Sequence, residues 1–266
     1  TRFEWALTAE YVEICSGLGS QGRALALRVR KRARYKRREH SLQGRRRAMS
    51  EFETARLAMV NSQIRPNDVT DHRIQDAMAD IPRERFLPKS QAAKAYADTE
   101  ARVAEGRFML TPRDLAKLIQ AADIRPTDVV LDVACGRGYS TAVLARLAET
   151  VVGLEQKDLG LAEKATDALN AIETDNAAVV EGELSKGVPG QGPFDVIIVN
   201  GAVAEPAQAW IDQLSVGGRL AVIVRDGTVG RARIYTKAQN TVGDRDIFDT
   251  TAPYLPGFEP EAKFAF

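Results

Sequence analysis

The stretch LDVACGRGYSTAVLARL, residues 131–147, decides the fold of this chain. It begins as an apolar strand, turns through the small residues of 134–138 and enters a helix at Tyr139. The two glycines of the turn free the backbone and let a ligand approach the main chain at the carboxyl end of the strand. The stretch therefore predicts a strand, a loop and a helix that together bind a nucleotide-type ligand.

An acidic residue at the expected distance supports this prediction. Glu155 closes the next apolar run, 23 positions after Asp132, where a carboxylate can accept hydrogen bonds from ribose hydroxyls. The pattern D-x-x-x-G-x-G over residues 132–138 resembles methyltransferase motif I more than the dinucleotide pattern G-x-G-x-x-G. Since no basic residue follows Glu155 to hold a dinucleotide phosphate, we favour S-adenosylmethionine over NAD. A turn that binds no ligand is the alternative.

Beyond residue 126, apolar runs and amphipathic stretches alternate along most of the chain. Such alternation predicts βαβ units and a parallel sheet covered on both faces. Two late runs lack an intervening helix and predict an antiparallel hairpin. We thus expect a Rossmann-like, doubly wound α/β fold with a mostly parallel sheet, an antiparallel edge hairpin and N-terminal helices. The predicted strands are 129–133, 151–154, 177–180, 194–199 and 219–224, the hairpin is 231–237 with 245–250, and the helices are 139–148, 157–172 and 206–214.

The part before this region reads as helical. Helices are expected over 49–62, 73–80 (capped by Asp71), 90–96 and 112–122, with a break at 64–68 and a loop at 97–108. We therefore expect an N-terminal helical region with the substrate loop over 49–125 and the cofactor-binding domain over 126–266, the two forming one globular unit.

Residues 1–48 differ from the rest of the chain in their charge. They hold 13 Lys or Arg against 4 Asp or Glu, whereas the rest of the chain holds 24 against 32, although the net charge is only +1. Without a hydrophobic period, this segment is expected to be a basic, disordered leader or extension. A flexible basic arm for nucleic acid or an anionic membrane surface, and a targeting peptide, are the alternatives.

Composition excludes several classes of protein. No apolar run reaches the ~20 residues that a membrane span needs. The two cysteines, Cys15 and Cys135, cannot form a disulfide framework and do not have the spacing of zinc ligands. We expect a cytoplasmic protein without a metal or a membrane partner.

Three ordered motifs then resemble one family. IPRERFLP at 81–88 is similar to the hPRxxFhP signature of protein-L-isoaspartate O-methyltransferases, FDVIIVNGA at 194–202 to their fourth strand, and the Gln-Leu and Gly-Gly-Arg-Leu segments of 213–220 to the approach to the fifth. The resemblance covers residues 49 to about 225. It implies methyl transfer from S-adenosylmethionine to the carboxylate of L-isoaspartate in protein or peptide substrates, as a repair reaction. A carboxylate is already nucleophilic at neutral pH, so alignment and exclusion of water suffice.

The chain departs from this family in its substrate loop. GRFMLTP at 106–112 stands where the family has G-Q-T-I-S-x-P, so Leu110 replaces the hydroxyl residue that touches the substrate carboxylate. Thr111 and Arg107 are the remaining candidates for that contact, although Thr111 before Pro112 also suits a helix N-cap.

Two further departures concern the cofactor. Ala134 replaces the first glycine of motif I, and Glu183 stands for the aspartate of a G-D-G sequence near the adenine. The predicted cofactor-binding residues are Asp132, Ala134, Cys135, Gly136, Gly138, Glu155, Glu183 and Asn200. A same-fold methyltransferase for another carboxylate or small molecule, and a non-catalytic cofactor-binding protein, are the alternative functions.

Overall fold

The computed structural model describes residues 50–260 except residue 158. The predictions for residues 1–48 lie outside the described residues. The described residues from Glu51 to Pro260 belong to one compact unit of the chain. In the part that the structure describes, no helix combines the length and the apolar character needed to cross a membrane.

A seven-stranded sheet forms the centre of this unit, in the order β5-β4-β3-β6-β7-β8-β9. The first five strands in that order are parallel, and β8 and β9 are antiparallel at one edge. This arrangement confirms the predicted doubly wound α/β fold with an antiparallel edge hairpin. The strands are β3 (Val129–Val133), β4 (Thr150–Gln156), β5 (Ala177–Gly182), β6 (Phe194–Val203), β7 (Leu214–Asp226), β8 (Val229–Lys237) and β9 (Val242–Thr250).

Six α-helices accompany the sheet over the described residues. β3 and most of β6 are buried, as expected for central strands covered on both faces. The helices are α1 (Glu51–Met59), α2 (His72–Asp80), α3 (Pro112–Ala122), α4 (Tyr139–Ala145), α5 (Leu161–Asn170) and α6 (Gln208–Asp212).

The helices α1, α2 and α3 agree with the sequence except near Pro66. The Asp71 carboxylate caps α2 by accepting a hydrogen bond from the Arg73 N–H, as predicted. The predicted break at 64–68 was wrong in part, because Arg65 keeps helical backbone angles and Arg65–Asn67 form a 3-10 turn. Arg65 is held there by hydrogen bonds to the Gln75 and Asn61 side chains, which offset the steric preference imposed by proline.

Four other predictions need correction. The expected loop at 97–108 contains a hairpin of β1 (Ala101–Ala104) and β2 (Arg107–Met109), and the expected helix at 90–96 is a 3-10 helix, Lys89–Lys94. The helix predicted from 157 begins only after Gly160, whose left-handed backbone breaks the pattern. The helix predicted over 206–214 is only α6, since β7 already starts at Leu214.

Trp210 anchors α6 to the sheet. Its side chain is fully buried, its indole N–H donates to the Leu184 carbonyl at 2.7 Å, and its ring stacks on Phe258 at 5.3 Å between centroids. One residue therefore fixes a short helix, the segment after β5 and the chain that follows β9.

We expect Trp210→Ala to lower the free energy of unfolding by about 3–5 kcal/mol, because it removes a large buried ring and leaves a cavity. Urea unfolding followed by circular dichroism measures the change. Val216→Ala is the control, since Val216 is 70% exposed and the substitution should change stability by less than about 0.5 kcal/mol. Equal effects of the two substitutions would contradict the anchoring role.

Candidate cofactor site and active site

The loop after β3 has the backbone of a ligand-binding turn. Ala134, Gly136 and Gly138 all have positive φ angles, of 59°, 62° and 90°. A Cβ atom on Gly138 would lie 3.2 Å from the Cβ of Ala165 in α5, so close packing against that helix requires a glycine. Ala134 adopts the left-handed conformation despite its side chain, at a cost of about 1–2 kcal/mol. The loop thus keeps the shape predicted from its glycines although one has been replaced.

Asp132 supports the loop from below. Its carboxylate is fully buried and accepts hydrogen bonds from Ser140 Oγ at 2.7 Å, Thr141 Oγ1 at 2.6 Å and Asn200 Nδ2 at 2.6 Å. Burial raises the pKa of Asp132 to about 6, against the opposing effect of these hydrogen bonds. Asn200 also donates to the Val133 carbonyl at 3.1 Å. Asp132 therefore joins β3, α4 and β6 beneath the turn.

Glu155 lies at the end of β4 with its carboxylate fully buried. The Gly136 N–H donates to Oε2 at 2.7 Å and the Gln156 N–H to Oε1 at 2.8 Å. The Arg107 guanidinium binds both oxygens, with Nη2 2.9 Å from Oε2 and Nη1 in contact with Oε1. Nη2 also donates to the Ala134 carbonyl at 3.1 Å. The structure thus places Arg107, a predicted substrate contact, on the predicted ribose carboxylate.

A small cleft lies between the β1–β2 hairpin and this loop. Its walls combine apolar and polar side chains. Burial raises the pKa of the Cys135 thiol well above its usual value, which keeps the thiol neutral. Four predicted cofactor-binding residues, Ala134, Cys135, Gly136 and Asn200, line the cleft. Its other lining residues are Val103, Phe108, Met109, Leu115, Arg137, Tyr139 and Ser140.

Glu183 is not brought to this cleft. It follows β5, its side chain is 60% exposed, and its carboxylate pairs with Lys186 Nζ at 2.6 Å. The hydrogen bond with Lys186 lowers the pKa of Glu183. In this structure Glu183 is a solvent-facing residue beyond the outer strand of the parallel part of the sheet.

The substrate loop is organised by a residue whose role the sequence did not reveal. Arg83 is fully buried, donates from Nε to the Ala95 carbonyl at 2.8 Å and from Nη2 to the Leu110 carbonyl at 2.6 Å, and lies 4.6 Å from the centre of the Tyr139 ring. Its place in the hPRxxFhP motif was the available signal. Arg83 thereby fixes the main chain at the position where the family carries its hydroxyl.

Leu110 and Thr111, the other two residues considered for the substrate contact, are also buried. The Leu110 side chain is only 2% exposed and belongs to the main hydrophobic core. Thr111 is the N-cap of α3, since its Oγ1 accepts a hydrogen bond from the Asp114 N–H at 3.0 Å. As Arg107 is engaged by Glu155, neither Thr111 nor Arg107 stands ready for a substrate carboxylate in this arrangement.

Two features of the site suit an adenosyl ligand, and a third feature conflicts with such a ligand. The loop exposes a main chain with small side chains, and an acidic residue ends the neighbouring strand, as a nucleoside requires. The conflict is the occupation of that acid by Arg107. The turn therefore fits S-adenosylmethionine, whereas the Glu155 carboxylate is bound by Arg107 in this structure.

Comparison with known proteins identifies the family. The family model described as protein-L-isoaspartate(D-aspartate) O-methyltransferase matches residues 54–253. A protein-L-isoaspartate O-methyltransferase of Koribacter versatilis is 37% identical over 173 residues, which are 65% of this chain and 78% of that protein. One from a Roseiflexus species is 34% identical over 174 residues, which are 65% of this chain and 79% of that protein.

A solved structure shares the fold. The beta-aspartate methyltransferase of Plasmodium falciparum, determined in complex with S-adenosyl-L-homocysteine, is similar with a TM-score of 0.65 at 19% identity, over 75% of this chain and 97% of that one. The family match spans both the hPRxxFhP motif and the loop after β3, so the resemblance seen in the sequence is confirmed. The chain belongs to the protein-L-isoaspartate (D-aspartate) O-methyltransferase family, a family of S-adenosylmethionine-dependent protein carboxyl methyltransferases.

Proposed function

We propose that this protein methylates the free carboxylate of L-isoaspartyl residues in damaged proteins or peptides. A bond forms between a carboxylate oxygen and the methyl carbon as the sulfonium–methyl bond breaks, giving a methyl ester and S-adenosylhomocysteine. The observation that carries the proposal is the turn 134–138 beside the carboxylate of Glu155, in a chain of this family.

For the cofactor, we propose that the turn holds the methionine and adenosyl parts through its main chain and that Glu155 accepts the ribose hydroxyls. Cys135 and Asn200 supply walls of the same cleft. Asp132 is a positioning residue, because it binds α4 and β6 rather than the cleft. We propose Glu183 for the outer, adenine end of the site, although it lies outside the cleft in this structure; it follows by two residues Glu181, the residue of β5 that is opposite Glu155 in the sheet register.

For the substrate, the chain needs to align a carboxylate and exclude water, since no proton has to be removed from the nucleophile. Phe108 and Met109 supply apolar walls, and Arg83 fixes the adjacent main chain. We propose Thr111 and Arg107 as contacts of the substrate carboxylate, each after a rearrangement of the loop that releases it from its present partner.

A second candidate function is methyl transfer to another carboxylate or small molecule. The observation that favours it concerns Leu110. A leucine has no hydroxyl to offer at the family's substrate-contacting position, and its side chain is buried. A cytoplasmic location is proposed on the buried, unpaired Cys135, which suits a reducing compartment. Nucleic acid is not proposed as a partner of the described part of the chain.

We expect the full chain to transfer labelled methyl groups from S-adenosylmethionine to a peptide that contains one L-isoaspartyl residue. The same peptide with a normal aspartyl linkage should accept essentially none, because its carboxylate lies one bond further from the main chain. Scintillation counting of the base-labile methyl ester measures the transfer. Binding of S-adenosylhomocysteine without transfer to the isoaspartyl peptide would favour the second candidate function.

Gly138→Ala should reduce this transfer by about tenfold or more, because the added Cβ meets Ala165 and the positive φ is strained, which shifts the turn. Gly227→Ala is the matched control. Gly227 also has a positive φ, of 62°, but a Cβ there would meet nothing within 4 Å. Rates of initial transfer at saturating cofactor compare the variants, and equal losses would show that strain alone, rather than the turn, explains the effect.

Asp132 should make folding stability depend on pH. Its pKa is about 6 in the folded protein against 3.8 for an unperturbed aspartate, so the folded state binds more protons between these values. The resulting stabilisation is complete below about pH 4 and is lost as the pH rises through 6. Relative to Asp132→Asn, the protein should lose about 2 kcal/mol of unfolding free energy between pH 4 and 7. Urea unfolding across that range tests this, with Asp226→Asn, an exposed carboxylate, as control.

A further inference from the structure

The ribose carboxylate of this chain is occupied by a cation of the chain itself. Glu155 accepts four hydrogen bonds, two from the main chain at Gly136 and Gln156 and two from the Arg107 guanidinium. An ionised carboxylate offers about four acceptor positions. With all of them in use and both side chains almost wholly buried, no acceptor is left for a ribose diol.

Arg107 reaches this position from the hairpin that covers the loop. It is the first residue of β2, and Val103 of β1 lies 3.6 Å from the point where a Cβ on Gly136 would stand. The guanidinium also donates to the Ala134 carbonyl in the turn. The hairpin and its arginine thus cover the main chain and the acid that the cofactor requires.

We propose that Arg107 is an intramolecular competitor of the cofactor ribose. In the arrangement described here, the guanidinium closes the site by binding Glu155. Binding of an adenosyl ligand displaces it, which also frees the charge to meet an anionic group in the cleft. This inference rests on the proposed function, since it assumes that an adenosyl ligand enters beside Glu155.

Features of the hairpin make the closed arrangement reversible. Arg107 Nε is buried without a hydrogen-bond partner among the described residues, so the closed state leaves one donor unsatisfied. The strands are only four and three residues long, their register shifts between Arg102 and Ala104, and Gly106 in the turn has a φ of 63°. The hairpin is a separate two-stranded sheet, so a shift of the hairpin would break core contacts of Val103 and Met109 but no strand pairing of the main sheet.

The competition lowers the apparent affinity for the adenosyl ligand in proportion to the fraction of molecules in which Glu155 is available. Calorimetry with S-adenosylhomocysteine tests it on the full chain and on Arg107→Gln. We expect the variant to bind about tenfold tighter or better, although its ligand-free melting temperature falls because a buried carboxylate loses its cation. The rise in melting temperature on adding the ligand should be larger for the variant.

Arg102→Gln is the matched control, since Arg102 lies on the same hairpin with an exposed side chain and should leave the affinity unchanged. Arg107→Lys keeps the charge but cannot bind both oxygens in the same planar geometry, so it should bind with an intermediate affinity. It gives the same comparison if Arg107→Gln does not fold.

A merely structural role of Arg107 predicts the opposite sign. Unchanged or weaker binding by the folded variant, with normal binding and methyl transfer by the wild type, overturns the competition and leaves the proposed function intact. No binding by either folded protein overturns both.

Discussion

A buried carboxylate has to find donors, and the arrangement around Glu155 follows from that requirement. Removing an ionised group from water costs several kcal/mol unless hydrogen bonds and an opposite charge replace the lost solvent. Here the turn after β3 supplies one main-chain N–H, the end of β4 supplies another, and Arg107 supplies the charge. The same carboxylate thereby fixes the turn and holds the β1–β2 hairpin over it.

The two buried carboxylates of the site, Asp132 and Glu155, are stabilised by different kinds of partner. Within the described residues, Asp132 accepts hydrogen bonds from hydroxyl and amide donors and from no cation, and burial raises its pKa to about 6. Glu155 has a guanidinium in direct contact. Asp132 therefore joins parts of the central fold, since its partners lie on α4 and on β6 in the middle of the main sheet. Glu155 is held by a partner on a short hairpin, which is the kind of contact that a ligand can exchange.

The sequence predicted the centre of the molecule well because local rules govern it. Three signals need no knowledge of distant residues: the apolar run of β3, the glycines of the turn and the acid at the end of β4. The family comparison confirms the methyltransferase assignment that these signals supported. The sequence also indicates the N-cap at Thr111, since Pro112 marks the start of α3.

What the sequence could not predict depends on contacts between distant segments. The β1–β2 hairpin is too short to leave a periodic pattern, so its residues were expected to form a loop. The pairing of Arg107 with Glu155 joins residues 48 positions apart, and charge alone does not identify such a partner. The inward direction of Leu110 and the link from Arg83 to its carbonyl likewise emerge only from the packed core.

The most direct measurement of the central claim is a crystal structure of the full chain with S-adenosylhomocysteine bound. We expect ribose hydroxyls within hydrogen-bond distance of both Glu155 oxygens, the nucleoside against the main chain of 134–138, and the Arg107 guanidinium withdrawn from the carboxylate. A nucleoside lodged elsewhere, with the Arg107–Glu155 ion pair intact, would contradict it.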